Sequence, residues 1–258
     1  MAKTKTTVKK TKTSKKINIT VDVNVTEEKK PATKTKIALV IDRSGSMGGV
    51  RNQAFSGINE QLETIKRNAG ETDTEVSYVQ FDDVVELVFK KPAKELRGLE
   101  YSEYIPRGST ALYDAVWTTI NKLDNGSQDK ETAYLVIVIS DGWENASKLV
   151  TQQKLAEKVR QLEATGQWTF TYMMSNINLS EFNSTVHANI GNSVSWTATA
   201  AGMNEAFRTV NNSTAKYLGD RAMFVGASYS KADFYTDPTL TGGSGVSVTV
   251  NNNTTDAK

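Results

Sequence analysis

The sequence contains no cysteine, one histidine and only four prolines among its 258 residues. Without thiols, a disulfide scaffold, a thiolate zinc site and a cysteine nucleophile are all excluded. The single histidine, His187, stands in a polar stretch and reads as a surface residue. Long apolar runs are missing too, and none approaches the roughly 20 residues that a membrane helix needs. The first residues, "MAKTKTTVKKTKTSKK", carry charge but no apolar segment. They do not read as a secretory signal, so the expected location is cytoplasmic. What remains is 38% apolar, enough for one α/β domain with appendages.

The net charge of +2 is an average over two unlike parts. Residues 1–16 hold seven lysines and no acid, whereas the rest of the chain has 24 basic against 29 acidic residues. A Lys/Thr tail with so little to bury is expected to be disordered. In "INITVDVNVT" (17–26), Ile17, Ile19, Val21, Val23 and Val25 recur with period two, which predicts a strand-like arm. A charged linker completes this 17–35 segment. At the other end, 221–258 is rich in Gly, Ser, Thr and Asn and reads as an extension, with strand character at Val246, Val248 and Val250.

Between these ends, over 36–220, strands alternate with helices. "IALVI" (37–41) and "YLVIVI" (134–139) are continuous apolar runs, as expected of central parallel strands covered on both faces. "WTFTYMM" (168–174) and "SVSW" (193–196) supply further strands. "TEVSYVQF" and "VVELVF" flank Asp82-Asp83 as an edge hairpin. Helical stripes run through Val50, Ala54, Ile58, Leu62 and Ile65, then Leu112, Ala115, Val116, Ile120 and Leu123. Two more pass through Leu155, Val159 and Leu162, and through Met203, Ala206, Phe207 and Val210. The pattern predicts an α/β fold with a doubly wound, mostly parallel sheet, one antiparallel edge hairpin and helices on both faces.

Ligands of such sheets bind beyond the carboxyl ends of the strands. Asp42 ends the first central strand, and Ser44 and Ser46 follow with hydroxyls able to face one point. Asp141 ends the "YLVIVIS" strand, with Gly142 behind it. Adjacent strands would bring the two acids to one rim, about 5 Å apart. Carboxylates held that close need a cation or a shared proton. An all-oxygen set suits Mg²⁺, Mn²⁺ or Ca²⁺.

Three separated motifs, D-R-S-G-S (42–46), "PRGSTALYDAV" (106–116) and "SDG" (140–142), together resemble the von Willebrand factor A family, especially its small stand-alone bacterial and phage members. The family's metal-ion-dependent adhesion site reads D-x-S-x-S, then Thr, then Asp. The resemblance implies that Ser44, Ser46 and Thr110 bind the metal directly and that Asp42 and Asp141 act through water or hydrogen bonds. Mg²⁺ is the cofactor so implied, and a protein partner's Asp or Glu takes the open position. Arg43, Met47, Arg107 and Trp143 share these loops and are expected to rim the metal. The implied protein is a non-enzymatic binding module.

Other readings compete. Asp42 and Ser44 alone would also serve to cap the following helix. Ser46, Asp141 and His187 follow the chain order of an α/β-hydrolase triad, but "SGSMG" lacks the first glycine of the nucleophile elbow. An aspartate-nucleophile phosphatase would want an acid where Ser44 stands. Seven lysines in residues 1–16 would support non-specific nucleic-acid contact or a virion structural role, though no aromatic residue interleaves with them. Asp82 and Asp83 read as turn residues, and Asp114 as a helix-dipole acid.

Overall fold

The computed structural model describes residues 34–70, 72–124, 131–175, 179–186, 188–223 and 233–235. Two compact units divide the chain, Met1–Pro31 and Ala32–Lys258, and every described residue belongs to the second. The basic tail, the 17–26 arm, His187 and the strand expected near 246–250 lie outside the described residues.

In chain order the elements are β1 (Lys34–Asp42), α1 (Arg51–Asn68), β2 (Asp73–Phe81), β3 (Val85–Pro92), α2 (Leu112–Leu123), β4 (Thr132–Ser140), α3 (Gln152–Glu163), β5 (Trp168–Ser175), α4 (Leu179–Val186), β6 (Ser193–Trp196) and α5 (Ala200–Met223). The six strands form one sheet in the order β3-β2-β1-β4-β5-β6. Every neighbouring pair is parallel except β2–β3, the expected edge hairpin. All nine residues of β4 are buried, which is why residues 133–139 form an unbroken apolar run.

Alternation along β1 sorts the core into two layers. Ile37, Leu39 and Ile41 pack with Ile58, Leu62, Phe207 and Val210 of α1 and α5. Ala38 and Val40 pack with Val116, Ile120 and Val159 of α2 and α3. The crossing of α1 and α5 is close: a Cβ on Gly57 would stand 2.2 Å from two ring carbons of Phe207. The last helix outruns its apolar pattern and buries Tyr217, Leu218 and Arg221 beyond it. Arg221 is tolerated there because its guanidinium donates to the Lys34 carbonyl at 2.9 Å.

Two features were not expected. The short helix α4 buries Phe182 and Val186. Within the polar C-terminal extension, Phe234 and Tyr235 join the α1/α5 core layer. Their backbone amides donate to Asn192 Oδ1 at 2.9 Å and to the Gly191 carbonyl at 2.8 Å. Among the described residues, no helix is long and apolar enough to cross a membrane.

Strand order reverses between β1 and β4, since β2 and β3 lie to one side and β5 and β6 to the other. Such a switch point opens a crevice at the carboxyl ends of the two strands. Asp42 and Ser140 are the last residues of those strands.

Candidate functional site

The rim above β1 and β4 is built from three loops and a turn: 43–50, 104–111, 141–151, and the β2–β3 turn at 82–84. Asp42 is fully buried and held from two directions. Its Oδ1 accepts the Ser44 amide at 2.6 Å, and its Oδ2 accepts the Ser140 hydroxyl. Tyr104 donates its hydroxyl to the Asp42 carbonyl at 2.7 Å. Burial pushes the carboxyl pKa up to about 6 against the hydrogen bonds from Ser140 and Ser44, and the charge of Asp141 adds to the rise. Asp141 is also raised by burial, with the Ser46 hydroxyl opposing it.

Three of the expected hydroxyl and carboxyl groups form a chain. Ser44 Oγ lies 3.0 Å from Ser46 Oγ, and Ser46 donates to Asp141 Oδ1 at 2.6 Å. Thr110 joins them from the far side: a Cβ on Gly142 would stand 3.7 Å from Thr110 Oγ1 and 3.9 Å from Ser46 Oγ. Both hydroxyls therefore border the space beside Gly142, a cradle that a Cβ would enter without a clash. Ser44 and Thr110 are buried while Ser46 is exposed, so the cradle faces solvent on one side.

The loops are locked to one another by backbone bonds. Arg107 donates to the Arg43 carbonyl at 2.6 Å, Gly45 to the Gly108 carbonyl at 3.1 Å, and Ala111 to the Asp82 carbonyl at 2.9 Å. Gly108 has φ +68°, and Asp83 Oδ1 accepts the neighbouring Ser109 amide at 2.9 Å. Thr110 and Asn145 pair twice, through Thr110 N to Asn145 Oδ1 and Asn145 N to the Thr110 carbonyl. Asp114 does more than meet a helix dipole: its carboxylate accepts the amides of Lys148, Leu149 and Val150.

Two expected rim residues need correction. Arg43 is buried, because its amide still pairs with the Phe81 carbonyl and sends its side chain toward β2 and β3. There its guanidinium binds Asp82 at 2.9 Å and Glu86 at 2.8 Å. Met47 is wholly buried, because the 3₁₀ turn at Gly45–Val50 points it into the α1/α5 core. Neither borders the cradle. Arg107 and Trp143 do remain exposed, with Arg107 tethered to Asp82 at 2.9 Å. Burial would raise Asp82, but hydrogen bonds from Arg107 and Val84 and the charge of Arg43 outweigh it and hold the carboxyl below its usual value.

Sequence reasoning missed Ser140, Asn145 and Glu144 as positioning residues. Ser140 was signalled by its place directly before Asp141; the other two become visible only through contacts across loops. For the hydrolase reading, Ser46 bonds Asp141 directly, with no imidazole between them, and His187 is outside the described residues.

Among the described residues, no group of three or more His, Cys, Asp or Glu side chains gathers to hold a metal. Any cation here would depend on hydroxyls. That donor set, two acids and three hydroxyls, is all oxygen and fits a hard divalent ion.

The sequence profile of the von Willebrand factor type A domain matches residues 36–195. The chain belongs to this family. Domains of the von Willebrand factor A type serve protein interaction and adhesion. Among solved structures, the chain resembles the pilus adhesin SpaC from Lactobacillus rhamnosus GG at 12% identity and TM-score 0.53, over 73% of this chain and 31% of that one. It resembles proximal thread matrix protein 1 from the mussel byssus at 16% identity and TM-score 0.51, over 74% of this chain and 48% of that one. The von Willebrand domain of the pilus tip protein Mfa5 from Porphyromonas gingivalis gives 12% identity and TM-score 0.51, over 70% and 95%. At these identities the likeness establishes a shared fold. The chain spans less than half the length of several structures it matches. A search of curated protein sequences finds no significant match.

Proposed function

We propose that this von Willebrand A domain is a non-enzymatic binding module that engages an acidic side chain of a protein partner through a divalent cation, Mg²⁺ first. The observation that carries the reading is the hydroxyl–carboxyl chain Ser44–Ser46–Asp141 with Thr110 bordering the same cradle. Ser44, Ser46 and Thr110 are the residues that would hold the ion. Asp42 fixes the Ser44 amide and the Ser140 hydroxyl, while Asp141 orients Ser46. Neutral hydroxyls donate little charge, so a bound hard cation would keep strong attraction for an incoming carboxylate. Arg107, exposed on the 104–111 loop, has its guanidinium engaged by Asp82 at 2.9 Å.

Thermal unfolding of the full chain against Mg²⁺ concentration tests the reading. A ligand bound only by the folded state adds about 2.7 kcal/mol at a hundredfold excess over its Kd. For a domain of this size that is a rise in Tm of about 5–10 °C. Ser46→Ala, a change at an exposed hydroxyl, is expected to fold and to lose most of that rise. Equal Mg²⁺ stabilisation of both proteins would refute the assignment.

A further inference from the structure

Buried polar atoms without a hydrogen-bond partner are rare in folded proteins, and each needs a reason. Five of them lie on one side of β5 and β6: Glu163 Oε1, Tyr172 Oη, Ser193 Oγ, and Oδ1 and Nδ2 of Asn183. Tyr172 and Ser193 are register partners on adjacent parallel strands, so their side chains stand on the same face. Tyr172 packs there in the α2/α3 core layer, its ring meeting Phe182 of α4 edge-on at 5.2 Å. Asn183 follows Phe182 in α4 and is itself buried.

The remaining contacts close a ring around this spot. The Asn183 carbonyl accepts the Ala188 amide at 3.1 Å, and the next residue, Asn189, hydrogen-bonds the Glu163 carboxylate. Glu163 ends α3 and also accepts the Phe170 amide, two positions before Tyr172 in β5. Burial, and then the Glu163 charge, pushes the Tyr172 hydroxyl above its ordinary pKa. Asn189 and the Phe170 amide are both neutral, and burial raises the Glu163 carboxyl to about 7 against them.

We propose that Glu163, Tyr172, Asn183 and Ser193 form a buried site for an alkali-metal cation, K⁺ or Na⁺, that fastens α4 to the sheet. Each supplies one oxygen with a free lone pair, and the Asn183 amide can turn its Oδ1 inward. One carboxylate among neutral oxygens matches a single positive charge. Divalent ions take more carboxylates or keep their waters, and among the described residues no three His, Cys, Asp or Glu side chains gather to hold one. Water would satisfy the hydroxyls but leave the carboxylate charge uncompensated, whereas a cation offsets it. Glu163 keeps an edge to solvent, which gives the ion its way in. Phe182 stands against Trp143, with ring centroids 6.3 Å apart, so an ion that holds α4 also braces the loop that carries Asp141. The site is separate from the cradle and does not rest on the Mg²⁺ reading.

Thermal unfolding of the full chain at pH 8 tests this, with N-methylglucamine chloride replaced stepwise by KCl or NaCl at constant ionic strength. In the wild type a saturable rise in Tm of about 3–5 °C is expected at a tenfold excess over the half-saturating concentration. Glu163→Gln should lose that rise. In N-methylglucamine alone it should be the more stable protein, and K⁺ or Na⁺ should close the gap. Tyr172→Phe removes one unpartnered hydroxyl and little else, so it is expected to fold and to need severalfold more ion for the same rise. Ser46→Ala should keep the full rise, which distinguishes this site from the cradle. A wild-type Tm that does not depend on the cation would overturn the proposal and leave ordered water as what the four side chains hold. A rise that persists in Glu163→Gln, is unchanged in Tyr172→Phe or is lost in Ser46→Ala would also overturn it, since the ion would then bind elsewhere. If Glu163→Gln fails to fold, Tyr172→Phe decides alone.

Discussion

Replacing Gly108 with alanine probes how the Thr110 loop is held. Gly108 sits at φ +68°, where a Cβ costs an L-residue roughly 1–2 kcal/mol. That Cβ would also stand 2.0 Å from Asp83 Oδ1, closer than atoms can approach. Asp83 is an exposed side chain and can swing aside, but only by releasing the Ser109 amide that it accepts at 2.9 Å. Loss of that hydrogen bond at a solvent-facing position adds about 1 kcal/mol. The expected cost of Gly108→Ala is therefore about 2–3 kcal/mol, read as a lower urea midpoint at unchanged slope. A double-mutant cycle separates the parts. In an Asp83→Ala background the clash and the bond are both gone, so Gly108→Ala should cost only the φ contribution, about 1–2 kcal/mol. A cost below about 0.5 kcal/mol in the wild type, or one that does not fall in the Asp83→Ala background, would refute the reasoning.

Gly57→Ala should cost about 3 kcal/mol in urea unfolding, because its Cβ would overlap the buried Phe207 ring and α1 and α5 would have to separate; a change under 1 kcal/mol would contradict that packing. Phe234→Ala should cost about 3 kcal/mol if the C-terminal Phe-Tyr pair belongs to the core as its burial indicates, and a midpoint shift within error would show that it does not. Glu163 gives a pH test. Burial raises its carboxyl from 4.5 to about 7 against hydrogen bonds from Asn189 and the Phe170 backbone. The folded state thus holds this proton more tightly than the unfolded one, and the associated stability is full below pH 4.5 and lost as pH rises through about 7. Glu163→Gln should match the wild type at pH 4 and exceed it at pH 8 by about 1–2 kcal/mol, a figure discounted because the group keeps contact with solvent. No difference between the two pH values would contradict it.

The sheet was legible because its central strands are buried on both faces, which forces apolar runs such as 37–41 and 134–139 with little ambiguity. The hairpin and four of the five helices followed from period and turn residues. Helix α4 did not, because "LSEFNSTV" is short and the apolar side chains Phe182 and Val186 that it buries make too brief a stripe. The acids and serines of the cradle could be read locally, since they end strands or follow directly. Thr110 could be placed only through the family resemblance, as its neighbours in space are distant in sequence. Arg43 and Met47 misled for a geometric reason: motif spacing says which residues share a loop but not which way each side chain turns. Asp82 and Asp83 looked like ordinary turn residues, and their hold on Arg43, Arg107 and Ser109 exists only once three loops are folded together.

Titration of Mn²⁺ into the full chain, with free ion counted by electron paramagnetic resonance, addresses the cradle itself. The account predicts one site per chain in the wild type, weakened at least tenfold by Thr110→Val and abolished by Ser44→Ala combined with Ser46→Ala, with folding of each variant checked by circular dichroism. Undiminished Mn²⁺ binding by the folded double-serine variant would contradict it.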